Sequence, residues 1–139
     1  IEVYPGTVRR FTFSQVLSDY GVPGEVWIEG IIDPTSNNPF WIFFYYPDQG
    51  ISAVFELDGL NLGETIKLCP GSELPTMLAL WKPTSKDTFL DFAGKTNFLK
   101  YIKEEKRSLV PLHEVTPLSL TQIAARGCFS TSRKIWKAR

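Results

Sequence analysis

Histidine, cysteine and methionine are scarce in this chain: one, two and one residue respectively among 139. A structural zinc site wants four Cys or His ligands in close pairs, and Cys69, His113 and Cys128 stand too far apart in sequence to supply it. Any Ser-His-Asp or Cys-His arrangement would have to be built on His113, which sits in Leu112-His113-Glu114-Val115 at an expected strand end. Phosphate loops are missing too. Ala93-Gly94-Lys95-Thr96 has the ending of one, but its required first glycine falls on Phe89, and no Gly-x-Gly-x-x-Gly occurs. Carboxylates are scattered rather than paired. These absences point away from an enzyme, and no cofactor or metal is expected.

The longest apolar run, residues 40–46, is seven residues, against the ~18–20 that a membrane-spanning helix needs. No signal-peptide pattern opens the chain, and it starts on Ile1, so it reads as a piece of a longer protein. Two cysteines are too few for a disulfide framework and fit a reducing compartment, so the expected location is the cytoplasm.

What is present is a core. The chain is 43% hydrophobic and 14% aromatic, and residues 1–139 fit one domain. The net charge of zero hides an asymmetry. Residues 1–94 hold twelve acids and five bases, net −7; residues 95–139 hold three acids and ten bases, net +7. The last fourteen residues carry Arg126, Arg133, Lys134, Lys137 and Arg139 with no acid. Such a tail can meet phosphate or an acidic partner, or serve as a solvated exit segment, which is the favoured account.

Glycines and prolines punctuate aromatic and β-branched stretches, the pattern of a β-rich domain. Ser14 is expected to cap a short helix that stops at Gly21. Residues 25–32 alternate, a breaker-rich turn over 33–39 follows, and residues 40–46 complete the strongest hairpin signal. The second strand of that hairpin is apolar on both faces, so both are buried or one meets a partner. Further strands are expected over 51–57, 63–68, 76–81, 88–93 and 108–112, while 97–103 suits strand or helix. Thr116 and Pro117 open a predicted helix that Gly127 ends. The fold class is mainly β: a small β-barrel of Tudor/SN-like or OB type with one or two short helices.

Two features suggest binding. A minority of the aromatic residues could stay exposed and stack on cations or bases. Leu120, Ala124 and Cys128, at intervals of four, resemble the Elongin-binding box of ubiquitin-ligase adaptors; an amphipathic helix packed on its own domain shows the same stripe.

The order of segments resembles an extended Tudor domain, in which a Tudor barrel is joined to an SN-like, OB-type barrel. Residues 26–43, with their Asp-Pro-Thr-Ser turn and aromatic strand, look like its opening hairpin. Phe98-Leu99-Lys100-Tyr101-Ile102 and Leu109-Val110-Pro111-Leu112 resemble the last Tudor strands and the segment after them. Ile123-Ala124-Ala125-Arg126-Gly127-Cys128-Phe129 resembles the returning helix-to-strand passage, so the likeness covers most of 25–136. Many such domains bind peptides carrying symmetric dimethylarginine. Aligned on the family's Phe-Val-Asp-Tyr-Gly-Asn stretch, this chain places Lys103, Glu104, Glu105 and Lys106 where Asp, Tyr, Gly and Asn should be. The cage Tyr and Asn are therefore missing. Phe89 takes the position of a cage aromatic on a strand, and Trp81 lies one strand earlier.

The resemblance thus implies a scaffold in a germline small-RNA (piRNA-type) pathway, in a perinuclear germ granule, and the lack of catalytic groups in the sequence makes the expected scaffold non-catalytic. Its partner would be a protein or an Arg-rich, unmethylated peptide, such as one from a Piwi-family Argonaute. The expected contact residues are Trp41, Phe43, Trp81, Phe89, Phe92 and Tyr101. An OB-type domain binding single-stranded nucleic acid through the basic C-terminal third is the alternative, and an Elongin-box adaptor is another. An apolar sheet edge would permit a homodimer.

Overall fold

The protein is described by a computed structural model that covers residues 2–3, 12–32, 38–73, 75–80, 88–95 and 108–136. Its organising element is the strand expected to be apolar on both faces. β3 (Asn38–Tyr46) pairs antiparallel with β2 (Glu25–Gly30) on one side and β4 (Ile51–Asn61) on the other. Successive side chains on a strand point to opposite faces. Phe40, Ile42, Phe44 and Tyr46 therefore enter the main core, while Phe43 and Tyr45 enter a second cluster on the opposite face, with Trp41 packed against it. Both faces are buried.

The remaining strands are β1 (Glu2–Val3), β5 (Thr65–Leu68), β6 (Pro75–Leu80), β7 (Ser108–Pro111) and β8 (Phe129–Ser132). The main path runs β1-β6-β4-β3-β2-β7. β4 is long enough to change partners: residues 51–55 pair with β6, and Leu60 and Asn61 pair with β5, which in turn pairs with β8. A register shift at Val54/Phe55 accompanies this change, and such irregularities sharpen local bend and twist. The result is mainly β, a curled antiparallel half-barrel.

Four short helices lie among the described residues: α1 (Phe13–Tyr20), α2 (Phe89–Lys95), α3 (Leu112–Val115) and α4 (Leu120–Arg126), with a 3-10 turn over Arg133–Trp136. That is more helix than the one or two elements expected. α1 is capped by Thr12, whose hydroxyl accepts from Gln15 N at 3.2 Å, and not by Ser14. Ser14 instead donates to the carbonyl of Gly71 at 3.1 Å. α4 starts at Ser119, which forms a reciprocal capping box with Gln122. The expected cap, Thr116, is used locally: its hydroxyl accepts from Leu118 N at 3.2 Å, which holds the chain in a turn before the helix begins. Gly127, at φ 80°, ends the helix as expected.

The expected strand at 88–93 is a helix. Thr88 Oγ1 accepts from Asp91 N, and the Asp91 carboxylate accepts from Thr88 N and Oγ1. This is a capping box at the mouth of α2. The basic C-terminal segment is likewise no exit tail as far as Trp136. Phe129, Thr131 and Trp136 are buried, and the Trp136 indole stands edge-on to Phe40 at 5.0 Å and donates to Thr131 Oγ1 at 3.1 Å. Phe40 itself lies between Gly30 and Gly59, where a Cβ would come within 2.3 and 2.8 Å of its ring. Those two glycines make room for it.

The two cysteines are not free thiols. Cys69 and Cys128 form a disulfide across the end of the β5–β8 pair, one position beyond the Leu68–Phe129 register partners. A sequence separation of 59 hides this pairing from any local pattern.

Candidate functional site: a groove between β2 and the α3–α4 segment

The expected contact residues fall into three groups. Trp81 and Tyr101 lie outside the described residues. Phe43 and Phe89 are buried, at 3% and 1% exposure, so they are not open to a partner. Phe89 sits at the start of α2, with its ring between Trp27 (5.7 Å, stacked), Phe43 (5.4 Å) and Tyr45 (5.9 Å). Trp41 and Phe92 are half-buried at the rim of the same cluster, Phe92 tilted against Tyr45 at 5.6 Å. The four described members, Trp41, Phe43, Phe89 and Phe92, belong to the cluster that packs α2 on the outer face of the sheet.

One member of the wider aromatic set does reach a cavity. Trp27 lines a groove of about 780 Å³ together with residues 22–26 from the approach to β2 and residues 111–114, 116–120 and 122 from β7, α3, α4 and the turn between the helices. The walls are apolar and stiff: Val22, Pro23, Leu112, Pro117 and Leu118, with Pro111 at the end of β7. The polar lining is Glu25, His113, Glu114, Thr116, Ser119 and Gln122. Two carboxylates and no Lys or Arg line it, so its electrostatic character is negative.

Both walls are held in place by named bonds. On one side, Gly24 N donates to Tyr45 O at 2.9 Å, the Tyr46 hydroxyl donates to Gly21 O at 2.9 Å, and Gln49 Nε2 donates to Tyr20 O at 3.1 Å. Burial, aided by nearby Tyr20, pushes the Tyr46 hydroxyl up to about 12, so it stays protonated as a donor. On the other side, Thr116 N donates to Leu112 O and the Ser119 capping box fixes the turn into α4. Glu25 ties the groove to the cluster behind it: Oε1 accepts from Trp27 Nε1 at 3.2 Å and Oε2 from Phe89 N at 2.8 Å. A groove built on such supports needs little ordering when it is filled.

Chemically, this arrangement can bind a chain that combines apolar and cationic groups. Carboxylates attract the cation, Trp27 adds aromatic surface to the lining, and the proline-rich walls give apolar contact. His113 is exposed on α3 at the groove's edge.

The Elongin-like set is divided. Leu120 is buried with Ile123 in the main core, Ala124 packs against that core, and Cys128 is in the disulfide. Leu120 and Ala124 belong to a helix packed on its own domain, and Cys128 lies beyond the helix end.

Sequence reasoning missed the groove because its walls come from two segments about ninety positions apart. Pro23, Pro111 and Pro117 were the visible signal. Each marks a stiff chain entry or exit beside a strand or helix end. No family model, no curated protein and no solved structure matches the chain.

Proposed function

We propose that this chain is a non-catalytic protein-interaction domain that takes a cationic, Arg-rich segment of a partner protein into the groove beside Trp27. The observation that carries the reading is the lining itself: Glu25 and Glu114 with an indole and apolar walls, and no cation among them. The likeness to extended Tudor domains supports the same class of partner, an unmethylated arginine-rich peptide of Piwi type, in a small-RNA pathway; the Cys69–Cys128 disulfide removes the cysteine argument for a reducing compartment. Methyl discrimination is not expected. The cage Tyr and Asn are replaced by Glu104 and Lys106 in sequence, and Phe89, the proposed cage aromatic, is closed under α2.

The test is calorimetric titration with an arginine-rich peptide, unmethylated and symmetrically dimethylated, with a single-stranded oligonucleotide in parallel. Equal or tighter binding of the unmethylated peptide is expected, weakened by salt and by Glu114→Lys. A clear preference for the methylated peptide would overturn the degenerate-cage reading. Binding of the oligonucleotide alone would replace it with the nucleic-acid reading.

A further inference from the structure

Lys67 and Arg126 are cations that the groove does not use. They line a separate hollow of about 420 Å³ with Cys128, Ser130, Thr116 and Pro117, and no acidic residue lines it. Neither cation makes a hydrogen bond or ion pair with its side chain among the described residues. Each stands two positions before a cysteine of the disulfide: Lys67 before Cys69, Arg126 before Cys128. Cys69 is exposed and Cys128 half-exposed. Reactive cysteines occupy such electropositive, accessible surroundings, whereas structural disulfides are shielded.

We propose that Cys69–Cys128 is an exchangeable disulfide whose cationic hollow receives small anionic thiols of the glutathione class. The incoming thiolate bonds to Sγ of Cys128, which lines the hollow. The Cys69–Cys128 bond breaks, and its electron pair leaves on Sγ of Cys69, stabilised by the positive charge of Lys67 until it takes a proton from water. A second thiol then attacks the mixed disulfide and releases Cys128. Two thiols are oxidised to one disulfide, and the protein gains two thiols.

The bond guards a junction of three segments. Beside it, Gly71 N donates to Gly127 O at 3.1 Å, Ser14 Oγ to Gly71 O at 3.1 Å, and Phe13 N to Glu73 O at 2.8 Å. The β5–β8 ladder and buried Phe129 and Ile123 remain when the bond opens, so the reduced form stays folded with a looser junction.

The experiment reduces the native full chain with glutathione (anionic) or cysteamine (cationic), each rate divided by that on a small neutral disulfide. At low salt the corrected glutathione rate should exceed the cysteamine rate about fivefold, the effect of one exposed ion pair. The preference should vanish at high salt and reverse in the Lys67→Glu/Arg126→Glu double variant. The first mixed disulfide, trapped by alkylation, should carry glutathione on Cys128 and the alkyl group on Cys69. Equal corrected rates, an adduct on Cys69, reduction only after unfolding, or two free thiols in the unreduced protein would each overturn the proposal.

Discussion

Glu25 and Phe89 lie 64 positions apart, yet the Glu25 carboxylate accepts the backbone N–H of Phe89 at 2.8 Å. This bond fixes the first turn of α2 on the outer face of β2, where a negative charge also suits the positive end of a helix. The same carboxylate holds the Trp27 indole, so one side chain aligns the aromatic cluster and the groove wall. Glu25→Ala should cost about 0.5–2 kcal/mol of stability, the usual range for a lost helix cap. Urea unfolding followed by tryptophan fluorescence measures it, and Thr88→Ala should add a further, smaller loss.

Phe40 offers a sharper packing test. Gly30→Ala would put a methyl group within 2.3 Å of the Phe40 ring, and that ring is backed by Gly59 and by buried Trp136. An overpacking loss of roughly 1–3 kcal/mol is expected. Trp136→Ala should cost more, about 3–5 kcal/mol, because it empties a fully buried site. A negligible effect of Trp136→Ala in thermal melts would return the C-terminal segment to an exit tail.

How much of this was legible in the sequence depends on whether the signal is local. The unbroken apolar run that ends at Tyr46 leaves two readings for β3, both faces buried or one meeting a partner, and the two clusters on its faces answer to the first. The helix stops at Gly21 and Gly127 were plain. The strand expected over 88–93 is helix α2 instead, and Thr88-x-x-Asp91 is a capping-box spelling. Thr116 before Pro117 looked like a cap, but its hydroxyl was already spent on Leu118 N. The disulfide pairing leaves no local pattern, and for the groove the three prolines mark its walls singly but not their meeting, since in both cases the segments come together only in the folded sheet.

Tyr46 predicts an alkaline limit to stability. Its hydroxyl is held up to about 12 by burial and by Tyr20, against 10.0 for a free tyrosine. Below pH 10 the group is protonated in both folded and unfolded chains, and its contribution is fully present. Between pH 10 and 12 the unfolded chain ionises first, so stability falls, by up to about 2 kcal/mol. Urea midpoints measured across this window should drop, and Tyr46→Phe should flatten the decline.

Reduction of the disulfide should also lower stability. Closing a loop of 59 positions restricts the unfolded chain by an amount worth roughly 4 kcal/mol in the chain-entropy account. Thermal melts with and without a dithiol should therefore separate by roughly 10–15 °C, with the reduced form still unfolding in one step.

The central claim is that the groove beside Trp27, rather than the aromatic cluster under α2, receives the partner. Backbone amide shifts of the isotope-labelled chain, followed while an unmethylated arginine-rich peptide is added, test this most directly. The account predicts shifts concentrated in residues 22–27 and 111–122, abolished by Glu114→Lys. Shifts centred on Trp41, Phe92 and α2, with the groove silent, would contradict it.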